Sequence, residues 1–366
     1  MASKVFLTGF PGFIARRLVD RLLRKDPEAS FVFLVEARLE RTAAESLREL
    51  QARHPSLGGR AKIVTGDISK PLLGLSQDTY NILAAGTTHV WHLAAIYDLA
   101  VPAALAYRVN VVGTANVLDF CGACRNLKRL DYVSTCYVSG TRQGLVLERE
   151  LDEGQGFKNH YESTKCWAEI EVRRRMDRIP TCILRPAVVI GDSKTGETDK
   201  YDGPYFLIAA LVKVPTFVPL INIGEGHSSL NLVPVDFLVA AMAELWVQDE
   251  ALGKTVHLAD PYPHASREVF GGILRAMGFR KPVVDVPPAL LEASLSVEAL
   301  RRFLRVPKQL VTYANHEVHY DTTNQRKLLE RTGVGCPDLL SYLPVLVDYV
   351  KRNPKKRFLD DREARR

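Results

Sequence analysis

Short apolar runs alternate along the first half of the chain with longer stretches whose apolar residues recur every three or four positions. The runs at Lys4–Thr8, Phe31–Val35, Lys62–Thr65, His89–Ala94, Asp131–Ser134 and Cys182–Arg185 read as buried strands, with a later one near Val256–Ala259. Helices fit between them, and the first carries Ile14, Leu18, Val19, Leu22 and Leu23 at helical spacing. Strand and helix in such close alternation predict an α/β fold built on a doubly wound parallel sheet. After Pro186 the rhythm breaks, and glycines and prolines crowd Gly191 to Pro219 and Pro261 to Pro288. Residues 191–230 and 261–352 are therefore expected to form a smaller C-terminal cap. Val235 to Trp246 returns to helical spacing, which joins segments near 231–260 to the first domain, residues 1–190.

The first strand runs into K-V-F-L-T-G-F-P-G-F-I-A, from Lys4 to Ala15. Gly9 allows a tight turn, Gly12 lets the backbone approach a pyrophosphate, and small Ala15 lets the helix pack closely on the strand. Phosphates would lie on the helix N-terminus, where free N–H groups and the dipole favour an anion. Thr8, Gly9, Phe10, Pro11, Gly12, Phe13 and Ile14 are thus the expected dinucleotide turn of a Rossmann-type sheet, whose substrate would be held by the cap.

Y-E-S-T-K at Tyr161 sets Tyr161 and Lys165 one helical turn apart on one face. A nearby ammonium favours the phenolate, so the tyrosine is expected to titrate below its usual 10 or so and to exchange a proton with a substrate oxygen. Upstream, the buried strand Leu130 to Val133 delivers Ser134 and Thr135 at its carboxyl end, the end at which open α/β sheets bind ligands.

With these residues in place the chain resembles the extended short-chain dehydrogenase/reductase family. The marks are T-G-F-P-G-F-I-A at Thr8, G-D-I at Gly66, H-L-A-A at His92, N-V-V-G-T at Asn110, S-T at Ser134, Y-E-S-T-K at Tyr161 and L-R-P at Leu184. The segments from Val189 to Tyr205 and from Asn231 resemble the thioester reductase and fatty acyl-CoA reductase branch, called the male-sterility type. The resemblance implies Thr135, Tyr161 and Lys165 as catalytic residues. It adds Asp67, Ile68, Leu93, Ala94, Ala95, Asn110, Ser134 and Pro186 to the cofactor contacts, alongside Tyr161 and Lys165 themselves. Asn110 either holds a relay water or packs its helix, and packing is favoured. The implied activity is hydride transfer to a carbonyl or acyl thioester, with an acyl chain presented on coenzyme A or an acyl carrier protein.

Cofactor choice turns on the end of the second strand. Glu36 would accept hydrogen bonds from ribose hydroxyls and repel a 2′-phosphate, which favours NADH. Arg38 and Arg41 follow in a position to hold that phosphate, with Arg16 or Arg17 nearby, and relatives of this branch commonly use NADPH. NADPH is the expectation and NADH the alternative. An epimerase, dehydratase or sterol-type dehydrogenase of the same fold would suit Glu36, and a non-catalytic dinucleotide-binding protein is a third reading that the Thr135, Tyr161 and Lys165 set opposes.

Composition narrows the picture. The 366 residues are 46% hydrophobic, enough for a large core, and no apolar run reaches the roughly 18 residues of a membrane span. A cytoplasmic enzyme is expected, and a homodimer is compatible with it. The net charge of +7 falls in short runs and in a basic tail, residues 353–366, expected to fray. No nucleic-acid reading module accompanies it. Six cysteines are scattered, and Cys121 with Cys124 lacks the second pair of a zinc site, so no metal is expected. Phe206 to Val212, Val214 and Phe217 to Ile221 form an apolar run that either lines an acyl tunnel or is core, the commoner case.

Overall fold

The computed structural model describes residues 2–98, 100–212, 228–279, 316–354 and 356 in full, and the backbone alone of 221–223 and 284–286. The basic tail from 357, and Val214 and Phe217 to Leu220 of the apolar run, lie outside the described residues.

The first half alternates as its pattern predicts: β1 (Lys4–Thr8), α1 (Phe13–Lys25), β2 (Ser30–Val35), α2 (Glu40–Arg53), β3 (Ala61–Thr65), α3 (Gln77–Gly86), β4 (His89–His92), α4 (Ala103–Ala106), α5 (Gly113–Ala123) and β5 (Arg129–Val133). Then come β6 (Gly144–Val146), α6 (His160–Arg173), β7 (Thr181–Pro186), β8 (Val188–Ile190), α7 (Pro204–Leu211), β9 (Ile221–Ile223), β10 (Leu232–Pro234) and α8 (Val235–Trp246). The C-terminal part holds β11 (Thr255–Leu258), α9 (Ser266–Met277), β12 (Val284–Val286), β13 (Val318–Tyr320), α10 (Thr323–Leu329) and α11 (Leu339–Arg352).

All seven strands expected from the sequence form one parallel sheet, in the order β11-β7-β5-β4-β1-β2-β3. The order reverses between β1 and β4, the switch point at which such sheets open a crevice. Helices cover both faces, so the strands are apolar on both. Val5 and Leu7 of β1 pack with Leu18, Val19 and Leu22 of α1 and with α8, while Phe6 faces Phe120 of α5 across 4.4 Å. Leu238, Met242 and Leu245 of α8 are buried in the same cluster as α1.

A second core joins α7, α9 and α11 through Tyr205, Ile208, Leu211, Ile273, Leu343 and Val347. Within the described part of the apolar run Phe206, Ile208 and Leu211 are packed core, Leu211 being 6% exposed, while Val212 at its end is exposed. Within 261–352, the stretch expected to be cap, α10 packs back on the α1 and α8 side through Leu328 and Leu329. There β13 pairs with β6, and the Gln325 side chain closes both Ala259 backbone groups beyond β11 at 2.8 and 2.9 Å.

Candidate active site

The glycine turn lies against the end of β4. Gly9 has φ +92°, and a Cβ there would come within 2.9 Å of the Ala94 nitrogen and the Leu93 carbonyl carbon. Gly12 donates its N–H to the Gly9 carbonyl at 2.8 Å, and a Cβ on it would stand 2.7 Å from that oxygen. A side chain at either position would meet the protein's own backbone, so the tightness of the turn at the helix N-terminus demands glycine at both. Thr8 ties the same strand ends together, accepting from the Ala94 N–H at 3.2 Å.

At the carboxyl end of β5, Thr135 caps a short helical turn, its hydroxyl accepting from the Tyr137 N–H at 3.2 Å. Asn159 caps α6 by accepting from the Glu162 N–H at 3.0 Å, which places Tyr161 in the first turn. Thr135 stands near enough to Tyr161 to favour its phenolate, and the Tyr97 ring meets the Tyr161 ring edge-on at 5.1 Å. Thr135, Tyr161 and Lys165 are all at least nine-tenths buried.

The electrostatics differ from expectation. Burial pushes the Tyr161 phenol well above its ordinary range, and nearby Thr135 only partly opposes this. The Lys165 ammonium instead donates to Tyr132 Oη at 3.0 Å and to the Val133 carbonyl at 2.8 Å. Burial lowers Lys165 to about 7, against the favourable field of Glu169. Helical spacing puts Tyr161 and Lys165 on one face, but the ammonium's own contacts are made with β5.

Ser134 is next to Thr135 in sequence yet its hydroxyl is committed elsewhere, donating to Glu169 at 2.6 Å. Glu169 is also held by the fully buried Arg185, at 2.6 and 3.0 Å, and by Arg173. Burial opposes its ionisation, but these cations and Ser134 more than offset that and hold its carboxyl below the usual range. Asn110 packs, as favoured: it brackets Ile96 through both backbone groups and donates to Thr164 of α6 at 3.0 Å.

Asp67 closes its own turn by accepting from the backbone and hydroxyl of Ser69 at 2.9 and 2.7 Å, and Ile68 packs under Gly113. Pro186 is buried at the end of β7. At the end of β2, Glu36 holds the Arg38 guanidinium at 2.5 Å, and that bond raises the arginine's affinity for its proton. The other arginines considered for a 2′-phosphate are engaged away from β2. Arg16 grips Asp199 at 2.6 Å, Arg17 grips Glu197 at 3.0 Å, and Arg41 is nearly fully exposed beside Glu45. Among the described residues no cluster of three or more His, Cys, Asp or Glu is placed to hold a metal.

Tyr132, His92, Glu169 and Arg185 were missed as site residues. The available signals were a hydroxyl inside a buried strand three positions before Thr135, and a carboxylate one turn after Lys165 on a buried helix face. His92 links Thr8 Oγ1 at 2.8 Å to Thr114 Oγ1 at 3.1 Å, and burial together with the Lys165 charge lowers it to about 3.

Comparison with known proteins places this architecture. The model of a family described as male sterility protein, an NAD-binding family, matches residues 7–242. The chain belongs to that family. A fatty acyl-CoA reductase, wat, of Drosophila melanogaster is 27% identical over 277 residues, which cover 66% of this chain and 54% of that one. The large subunit of L-2-aminoadipate reductase of Penicillium chrysogenum is 27% identical over 305 residues, covering 78% of this chain and 21% of that one. The chain thus spans about half the length, or less, of these curated relatives. The solved terminal R domain from the myxalamid PKS-NRPS biosynthetic pathway superposes with a TM-score of 0.80 and 27% identity, over 98% of this chain and 93% of that one. The family and these relatives are NAD(P)-dependent reductases of the extended short-chain dehydrogenase/reductase type, as the motifs implied. No described helix is long and apolar enough to cross a membrane.

Proposed function

We propose that this protein reduces acyl thioesters with NADPH, taking acyl groups carried on coenzyme A or an acyl carrier protein. The observation that carries the reading is the burial of Thr135, Tyr161 and Lys165 together, with Thr135 at the end of β5, Tyr161 in the first turn of α6 and Lys165 bonded back to β5. A phenol held above its ordinary range is protonated at neutral pH, and reduction needs that form. Thr135 donates to the Tyr161 oxygen, which leaves the tyrosine O–H for the substrate oxygen. Lys165, one turn on, binds the nicotinamide ribose. The cofactor supplies hydride to the carbonyl carbon. As the carbonyl oxygen gains charge, Tyr161 gives it a proton and Thr135 stabilises the phenolate that forms. The resulting hemithioacetal loses thiol to give an aldehyde, and a second round gives the alcohol.

NADPH is favoured because Arg38 stands at the end of β2 and can turn from Glu36 to a 2′-phosphate. The names of the relatives, a fatty acyl-CoA reductase and an R domain of a peptide and polyketide pathway, support the thioester substrate. The test is nicotinamide oxidation with acyl thioesters on coenzyme A and on a carrier protein, with aldehyde and alcohol followed separately. Turnover confined to sugar nucleotides, with tightly retained NAD, refutes this reading in favour of epimerase chemistry.

A further inference from the structure

A line of buried hydrogen bonds starts beside the glycine turn and runs through His92, whose ring packs near the tyrosine that meets Lys165. The Ala94 N–H donates to Thr8 Oγ1, whose own hydroxyl lies 2.8 Å from His92 Nδ1. On the other side of the ring, His92 Nε2 lies 3.1 Å from Thr114 Oγ1. Thr114 donates its single proton to the Asn110 carbonyl at 2.6 Å, so it can only accept from its other neighbours. The neutral His92 therefore carries its proton on Nε2 and accepts from Thr8 at Nδ1. The His92 ring lies 5.6 Å from the Tyr132 ring. Tyr132 Oη accepts from the Lys165 ammonium at 3.0 Å, and that ammonium sits 4.6 Å from the centre of the Tyr132 ring.

We propose that Tyr132 is the positioning residue of Lys165: its oxygen and ring fix the ammonium, the Val133 carbonyl takes a second N–H, and the third remains for the cofactor ribose. An ammonium only donates, so Tyr132 Oη is the acceptor of that bond. This rests on Lys165 binding the cofactor, as read above, and names the group that makes it able to.

Four titratable groups face Lys165. Tyr132 comes from β5, His92 from β4, and Tyr161 and Glu169 from α6 itself. His92 is neutral, Tyr161 is protonated, and the Glu169 charge is shared with Arg185 and Arg173. Tyr132 is thus the side-chain hydrogen-bond acceptor that, with the Val133 carbonyl, favours the charged form of an ammonium penalised by burial.

The test is cofactor affinity by nicotinamide fluorescence across neutral pH, with no acyl substrate present. In wild type, affinity falls as pH rises through about 7, where Lys165 loses its proton. Tyr132→Phe keeps the ring and removes the acceptor. Because a hydrogen bond to a charged group is among the stronger ones, its midpoint moves about one pH unit lower, with roughly tenfold weaker binding above it. Tyr132→Met, which fills the space without oxygen or ring, moves the midpoint at least as far. A Tyr132→Phe profile that superimposes on wild type, or moves to higher pH, overturns the proposal, as does a flat wild-type profile. Should Tyr132→Phe fail to fold, Tyr132→Met decides by the same criteria. Since no thioester enters this titration, failure to reduce thioesters refutes the functional reading separately, and NADH serves as probe if it is the cofactor that binds.

Discussion

Tyr161→Phe separates the chemistry of the site from its architecture. The substitution deletes one oxygen from a side chain that is 7% exposed and leaves the ring with its edge contact to Tyr97. The folded state loses at most one hydrogen bond, to Thr135, and no longer has to desolvate a phenol, a net cost of about 1 kcal/mol or less. Against the 5–15 kcal/mol that typically separates folded from unfolded, that leaves the protein folded. Turnover loses the proton donor, typically worth 100-fold or more, which is about 2.7 kcal/mol in the barrier. The kinetic loss therefore exceeds the stability loss at least twofold, and the cofactor contact of Lys165 is untouched. Three measurements settle it: the rate of nicotinamide oxidation with an acyl thioester, cofactor affinity by fluorescence, and the melting temperature. Turnover within about threefold of wild type, with cofactor binding and melting unchanged, refutes the assignment of Tyr161 as proton donor. Thr135→Val removes the hydroxyl that stabilises the phenolate and should lower turnover roughly tenfold, the worth of one charge-assisted bond.

Arg38→Ala should weaken NADPH roughly tenfold and leave NADH nearly unchanged, whereas Arg41→Ala should change neither, and equal losses for both cofactors in isothermal titration would exclude Arg38 as the 2′-phosphate contact. Arg185→Met strands the buried Glu169 carboxylate and should cost about 3–5 kcal/mol in urea unfolding, and a loss below about 1 kcal/mol would mean the pair is dispensable. Folding should weaken with acid. His92 and His257 stay neutral in the fold, with pKa values near 3, while the unfolded chain protonates its histidines below about 6.5. The unfolded state then binds more protons, so stability is full above about 6.5 and falls by up to about 1.4 kcal/mol per histidine per pH unit toward 3. A urea midpoint that holds constant from neutral pH down to about 4 would contradict this. Leu211→Glu buries a charge in the core shared by α7, α9 and α11, so it should lower the melting temperature whatever the substrate, and an unchanged melt with altered chain-length selectivity would instead put Leu211 on a substrate path.

The sheet was readable in the sequence because its inner strands are buried on both faces and largely apolar, and each strand is punctuated by the turn that follows it; the edge strand β3, half-exposed, still carries Ile63 and Val64. The glycine turn was readable for a related reason. Gly9 and Gly12 stand where any Cβ would meet backbone, so their identity is dictated locally. Thr135, Tyr161 and Lys165 were nameable from strand end and helical spacing, which fix where a side chain starts. Where a side chain ends is set by what surrounds it, and that was decided in three dimensions. Lys165 reaches across to Tyr132 and Val133 on β5, and Ser134 turns to Glu169. Arg16 and Arg17 bridge to Asp199 and Glu197, far along the chain, and the apolar residues Ile208 and Leu211 close a core with α9 and α11. The Tyr161 phenol rises where spacing to a lysine alone suggested it would fall, because desolvation depends on every neighbour of the burial site and spacing reports only one. Periodicity and backbone sterics are local and survive in one dimension; charge balance and burial are sums over the folded surroundings, and only the tertiary structure supplies them.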